Sequence, residues 1–405
     1  MPFDTTARSV AEYLKGMDFA EIYAHNDADG IAAASILCQA LFRAGCRFRV
    51  RIVADLTTED LRSCPHPVLC DLGASLADLP DDVVVIDHHV PRFSGDHHVN
   101  PRLFGVSGER ELSAAGAAYL VAQAMGENRD LAGIALLGII GDRQEFSGKN
   151  REILNDGIAT GIISPWKGLL LPGQDHVERF ACAANPYLDG VSGNEALCRS
   201  LVEECTIDGE IDNETLLSRI ILEVGTRATT RAIEGMYGNG FLLERESVRE
   251  AHTLAAMVEA CGKAGWGGLA VSLCLRQGEI REEAWSITRE FRMSVIHAVQ
   301  TAQKMEEHLA WYRVQDARVV GTVADIIARD LMGDQPVAVI GEENGRYRIS
   351  LRCPEGVVVN LEAVAAELAS RCGGIGGGHE TRAGATIEAQ NIDCFMKELR
   401  KAIAS

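Results

Sequence analysis

Four short stretches of the sequence concentrate residue types that bind metal ions or move protons. The first is His25-Asn26-Asp27-Ala28-Asp29-Gly30, in which three donors occupy alternate positions. If that segment is extended, alternate side chains point the same way, so His25, Asp27 and Asp29 face one point. Gly30 then lets the chain turn into a helix whose N-terminal amides are open to an anion. Read alone, the stretch is equally a turn with Asp as a helix cap. The second is Asp71 at the end of PVLCD, which by itself reads as a turn former or N-cap. The third is Asp87-His88-His89, directly after VVVI. Such groups are costly to bury without partners or a metal. The fourth is Asp142, closing LLGIIGD, where helix capping and solvent exposure are the ordinary explanation. His97-His98 reads as surface, because no strand delivers it.

Taken as a set, the four stretches describe one chemistry. Each ends an apolar element and releases Asp or His at one edge, as α/β active sites do beyond the carboxyl ends of strands. Carboxylates and imidazoles without thiolates suit Mn²⁺ or Mg²⁺ better than structural zinc. Two such ions, roughly 3.5–4 Å apart and bridged by a carboxylate, would activate a water and stabilise phosphoryl charge.

The elements that must position these groups follow from the hydrophobic pattern. A short amphipathic helix at 7–16 precedes a strand at 19–25, a helix at 31–45 closed by Gly45, and a strand at 48–55. Short buried strands end at Asp71 and Asp87; helices follow at 112–126, with Ser113 as N-cap, and at 130–142. Continuous apolar strands alternating with helices predict a buried parallel sheet over residues 1–165. Residues 166–309 open with Pro, Gly and Asn and continue as helical patterns, the charge-rich 282–311 reading as one helix. They are expected to form a helical insert and connector. Residues 310–405 read as a smaller C-terminal α/β domain, so the chain as a whole is α/β.

That last domain carries a second constellation. In GGIGGGHETRAG a glycine-rich loop, including Gly376, Gly377 and Gly378, lets backbone amides approach a phosphate, with His379 and Arg382 adding positive charge. A tight turn is the commoner use of such a loop. The strand RYRISLRC projects Arg348, Ser350 and Arg352 on one face, which could also be a solvated face. Trp311, Tyr312 and Tyr347 read as core packing rather than as platforms for bases.

Composition bounds the substrate only loosely. The chain has 405 residues, 58 acidic against 39 basic, for a net charge of −19. That excludes a protein that coats nucleic acid by charge alone. It does not exclude an enzyme of phosphodiesters, since carboxylates that bind divalent ions present a positive site. The amino terminus has no basic-then-apolar leader pattern, and no window of about 18 apolar residues suggests a membrane span. The twelve cysteines are scattered with no C-x-x-C spacing. A cytoplasmic location follows as the expectation.

These residues also carry a family resemblance. HNDADG, the Asp of VLCDLG, the DHH triplet and the Asp of LLGIIGD match, in order, the four motifs of the DHH phosphoesterase superfamily. Gly376 to His379 resembles the signature of its DHH-associated C-terminal domain. The match touches both ends of the chain and leaves the middle uncovered. The resemblance implies that His25 and Asp27 hold one metal, that Asp29, His88 and Asp142 hold a second, and that Asp71 bridges the two. It implies two divalent ions, with Mn²⁺ preferred over Mg²⁺. The two catalytic groups would be Asp87, which orients a histidine, and His89, which faces the substrate phosphate. Gly376, Gly377, Gly378, His379, Arg348, Ser350, Arg352 and Arg382 would hold the nucleotide end. The first motif opens with His-Asn, where RecJ-type nucleases often have Asp or Tyr, which bears on the subfamily and not on the chemistry. The implied activity is a RecJ-like exonuclease on single-stranded DNA or RNA, similar to the archaeal group with GINS and other replisome partners. An oligoribonuclease or cyclic-dinucleotide phosphodiesterase is one alternative. A replisome scaffold with little or no activity is another.

Overall fold

A computed structural model of the chain describes residues 3–62, 64–76, 78–80, 82–306, 310–353 and 360–404. Two compact units emerge: residues 1–167 with 239–288, and residues 168–238 with 289–405.

The first unit is built on five parallel strands. In chain order it contains α1 (Phe3–Lys15), β1 (Phe19–His25), α2 (Ala28–Ala44), β2 (Arg47–Val53), β3 (Pro67–Cys70), β4 (Val84–Ile86) and β5 (His98–Val99). These are followed by α3 (Ala114–Met125), α4 (Ala132–Gly141) and α5 (Gly148–Ala159). The chain returns to this unit with α6 (Ala251–Lys263) and α7 (Gly267–Cys274). The strand order is β2-β1-β3-β4-β5, every pair parallel. β3 and β4 are buried along their whole length, which is why they read as unbroken apolar runs. Chain order reverses between β1 and β3, so the crevice beyond their carboxyl ends is the expected place for a ligand. The core joins the sheet to α2, α3, α4 and α6, and α2 is buried on nearly every side.

Helix α8 (Arg281–Gln300) leads out of the first unit. The charged run 282–311 is therefore not one helix. It stops at Gln300; Gln303–Lys304 and β6 (Ala310–Val314) pair as strands, and 307–309 lie outside the described residues. The stretch 166–309, expected as a single insert, is shared between the units by packing: 166–167 and 239–288 with the first, 168–238 and 289–309 with the second.

In the second unit α9 (Val320–Ile326), β7 (Val337–Glu343), β8 (Arg346–Arg352), α10 (Leu361–Arg371), β9 (Ile375–Gly378), β10 (Arg382–Glu388) and α11 (Ile392–Ala404) follow β6. The sheet runs Gln303–Lys304, β6, β7, β8, β10, β9, and only β6 and β7 are parallel. Asn344 and Gly345, both at positive φ (53° and 75°), make the two-residue turn between β7 and β8, the pairing a right-handed hairpin twist demands. Trp311 and Tyr347 pack with α10 and α11 on one sheet face, and Tyr312 with α9 on the other, so all three are core. A separate cluster, including Phe180, Leu201 and Ile220, holds the helices of 168–236 together.

Among the described residues no helix is long and apolar enough to cross a membrane. All twelve cysteines are free and ten are buried, so they act as small core hydrophobes.

Candidate metal centre

β1, β3 and β4 lie side by side and end at His25, Cys70 and Ile86. His25, Asp71 and the triplet 87–89 therefore leave the sheet from adjacent carboxyl ends. Asp71 sits at φ 58° and anchors its amide to the Ile86 carbonyl at 2.9 Å. A non-glycine residue pays strain there, a cost that concentrates at functional sites.

The expected alternation of His25, Asp27 and Asp29 is broken. Asp27 is the extended N-cap of α2, with Oδ1 accepting the Gly30 amide at 3.0 Å, so Asp29 already lies in the first helical turn. The three side chains consequently divide between two groups. Two of the first-turn amides are not open to an anion either, since Gly30 N is taken by Asp27 and Ala28 N by Glu259.

In the first group His25 Nδ1 lies 2.5 Å from Asp27 Oδ2 and 3.2 Å from Asp71 Oδ2. In the second, His88 Nε2 lies 3.1 Å from Asp142 Oδ2, 3.2 Å from Asp71 Oδ1 and 3.7 Å from Asp29 Oδ2. Asp71 thus turns one oxygen to each group. His88 Nδ1 meets the Gly108 carbonyl and must donate its proton there, leaving Nε2 toward three carboxylates. A second proton or a metal ion has to fill that gap. The buried Oδ1 of Asp71 accepts no hydrogen bond, which suits a cation ligand better than a packed core.

Charge crowding gives the same picture. Burial pushes Asp29 well above the usual carboxylate range, and Asp142 and Asp71 push it further. This holds although Oδ2 and Oδ1 accept the Ala114 and Ala115 amides at 2.7 and 2.8 Å, at the N-terminus of α3. Burial opposes charge on His25, yet Asp27 and Asp71 raise its pKa to about 10. Protons occupy such a site when metal is withheld. A group whose folded pKa is raised stabilises the fold below its ordinary pKa and loses that contribution as the pH climbs through the raised value. The EDTA-treated protein is expected to melt at progressively lower temperature from pH 6.5 toward 10. Added Mg²⁺ then gives a thermal shift that grows with pH, because metal replaces protons. Scanning fluorimetry across that range checks this; a metal shift independent of pH contradicts it.

Asp87 does different work. Its Oδ2 accepts the Ala74 amide at 2.9 Å, and its Oδ1 the His88 and His89 amides at 2.7 and 3.1 Å. The same Oδ1 lies 2.7 Å from His89 Nδ1. Burial opposes ionisation, but the His89 ring and these donors hold Asp87 far below the carboxylate range. Filled in this way, Asp87 orients His89, whose ring is about a third exposed.

Several residues of the site carried no sequence signal of their own. A Cβ at Gly138 would fall 1.9 Å from Asp29 Oδ1, and one at Gly108 would fall 2.1 Å from the His88 carbonyl. Gly138 stands one helical turn before Asp142, which is the signal that could have found it. Gln144 donates to the Gly108 carbonyl at 2.9 Å beside His88. His98 is not surface: it forms the last strand of the sheet and stacks on Phe93, with ring centroids 4.4 Å apart.

The glycine-rich stretch of the second unit is not a loop but an edge strand, β9. Gly376 faces α10, where a Cβ would fall 2.4 Å from the Ala365 carbonyl; Gly378 turns at φ 139°. Gly377 has open space beside it and pairs with Gly384, which pairs with Ser350. The His379 amide donates to the Arg382 carbonyl at 2.7 Å and closes the β9–β10 turn. Arg348, Ser350 and Arg352 share one half-buried face of β8. Arg352 and Arg382 are cross-strand partners, and Asp325 of α9 bridges them, 3.0 Å from Arg382 Nη2. Arg352 also donates to the Leu351 and Gly321 carbonyls at 2.8 and 3.2 Å. It is a buttress, and Arg382 is the more exposed of the two.

Comparison with known proteins adds a family context. The DHH family, N-terminal domain, matches residues 21–139, and the DHHA1 domain matches 309–405. An uncharacterised protein of Methanocaldococcus jannaschii is 26% identical over 95% of this chain and 93% of its own. The crystal structure of RecJ from Thermus thermophilus in complex with Mn²⁺ has a TM-score of 0.59 at 19% identity, covering 98% of this chain and 55% of that one. This chain thus spans little more than half the length of that RecJ. CDC45 from Entamoeba histolytica has a TM-score of 0.62 at 12% identity, covering 99% of each. At these identities the likeness is one of fold.

Proposed function

Because the chain belongs to the DHH superfamily of phosphoesterases, with both its N-terminal domain and a DHHA1 domain, we propose that it is a divalent-metal-dependent exonuclease of single-stranded DNA or RNA. The observation that carries this reading is Asp71, one oxygen in each of two ligand groups. Carboxylate and imidazole donors without thiolate suit Mn²⁺ or Mg²⁺, and the RecJ of similar fold was solved with Mn²⁺. His25, Asp27 and Asp71 would hold one ion; Asp29, Asp71, His88 and Asp142 would hold the other. Two bound ions would supply an activated water and neutralise phosphoryl charge.

The chain's own residues do the rest. His89, fixed through Nδ1 by Asp87 and about a third exposed, would donate from its other nitrogen to a phosphate oxygen as charge develops. Asp87 holds that ring and keeps its tautomer. On β9 and β10, the missing side chains of Gly377 and Gly384 would leave that sheet face open to close approach of a nucleotide end, with Ser350, Arg348, His379 and Arg382 on hand for its phosphate. Arg352 would steady Arg382 through Asp325. Association with replisome proteins, GINS among them, is part of the same proposal.

The fold shared with CDC45 favours a second reading, a scaffold with little activity. Retention of both ligand groups and of the Asp87–His89 pair argues against it. End-labelled single-stranded DNA and RNA ladders with Mn²⁺ or Mg²⁺ decide the matter. Turnover that persists as the oligomer lengthens supports the exonuclease. Turnover confined to the shortest oligomers supports an oligoribonuclease, and no turnover with either metal supports the scaffold.

A further inference from the structure

Helix α6 lies outside both matched domains, yet it presses on the first ligand stretch. At Gly262 a Cβ would fall 2.3 Å from the Asn26 carbonyl and 2.5 Å from Ile31 Cδ1, so nothing larger allows this approach. Two charged side chains reach across at that point. Glu259 Oε2 accepts the Ala28 amide at 2.7 Å. Lys263 Nζ lies 3.1 Å from Asn26 Oδ1 and 3.9 Å from Asp27 Oδ2.

The Ala28 amide is one of the first-turn donors of α2, which have no partner in their own helix. Asp27 spends Oδ1 on Gly30 and turns Oδ2 to His25, so it cannot serve Ala28 as well. Ala28 is also the residue between Asp27 and Asp29, the two ligands that part toward different groups. Its orientation therefore sets the spacing of the two halves of the site. Glu259 is half-buried; drawing a carboxylate even partly out of water costs more than doing so with an apolar side chain of similar size, and helix packing alone gives no reason to place one here.

Resting on the metal-centre reading, we infer that Glu259 and Lys263 are positioning residues for the metal ligands: Glu259 holds the peptide between Asp27 and Asp29, and Lys263 holds Asn26 and Asp27. Partners of this kind change metal affinity by about 10–100-fold when removed.

The test is Mn²⁺ binding by the full-length, EDTA-stripped protein, followed by calorimetric titration. Glu259→Leu should bind Mn²⁺ about 10–100-fold more weakly and need correspondingly more Mn²⁺ for half-maximal hydrolysis, with the rate recovering at excess metal. Glu259→Gln, which keeps an acceptor for the Ala28 amide, should stay close to wild type. Lys263→Met separates positioning from charge. A lysine acting only as a charge would, once removed, let a cation bind more tightly; a positioning lysine weakens binding. Wild-type affinity in Glu259→Leu, or tighter binding in Lys263→Met, overturns the inference. If Glu259→Leu does not fold, Lys263→Met decides alone. Absence of Mn²⁺ and Mg²⁺ binding in the wild type sinks the metal-centre reading itself, a separate failure.

Discussion

Asp71→Asn is expected to lower the proposed Mn²⁺-supported hydrolysis of single-stranded substrate by about a thousandfold or more, roughly 4 kcal/mol of transition-state stabilisation. The size follows from its position, with Oδ2 toward His25 and Oδ1 toward His88. No other described side chain serves both groups, so its loss would weaken both proposed ions at once. Asparagine is nearly the same shape and is among the residues that best tolerate φ near +58°, so the backbone turn survives. With one fewer carboxylate beside Asp29, the metal-free variant should melt at or above the wild-type temperature. Loss of activity without loss of stability is the distinguishing signature. Steady-state rates and a melting curve in EDTA measure both; a rate above a tenth of wild type would remove Asp71 from the centre.

Gly138→Ala has the second large effect, through packing. The new Cβ would fall 1.9 Å from Asp29 Oδ1 and 2.6 Å from the Ala115 Cβ. Neither neighbour can yield cheaply, because Asp29 is pinned to the Ala114 and Ala115 amides and α3 is buried. Overpacking of this kind costs about 1–3 kcal/mol, and here part of the relief has to come from moving a metal ligand. Urea unfolding should show that loss, and the Mn²⁺-induced thermal shift should shrink with it. An alanine variant with full stability and an unchanged metal shift would show that Asp29 has room to spare.

What could be read from the sequence was whatever local pattern decides. Asp71, Asp87-His88-His89 and Asp142 follow apolar runs, and a run that ends in charge marks an element delivering side chains to one edge. The buried parallel sheet was legible for the same reason, since PVLC and VVVI have no polar face. The division of Asp27 from Asp29 was not, because it depends on whether Asp27 caps a helix or continues a strand, and both suit Asp. GGIGGGH reads as a loop because glycine is poor in strands; here β10 supplies the pairing, and the nearness of α10 requires Gly376. The charged run beyond Gln300 has helical composition, but pairing of Gln303–Lys304 with β6 overrides it. Glu259 and Lys263 lie more than 230 positions from the residues they touch, and no local pattern encodes a tertiary contact of that span.

The return of residues 239–288 to the first unit has a bearing on biosynthesis. The strands and helices that carry the six proposed ligand side chains have all been made by residue 142. Glu259, Gly262 and Lys263 come more than a hundred residues later. A chain emerging from the ribosome therefore passes through a long interval in which the ligand residues exist but the Ala28 amide lacks its partner. On the inference above, the order of synthesis would separate the making of the proposed ligands from the setting of their spacing.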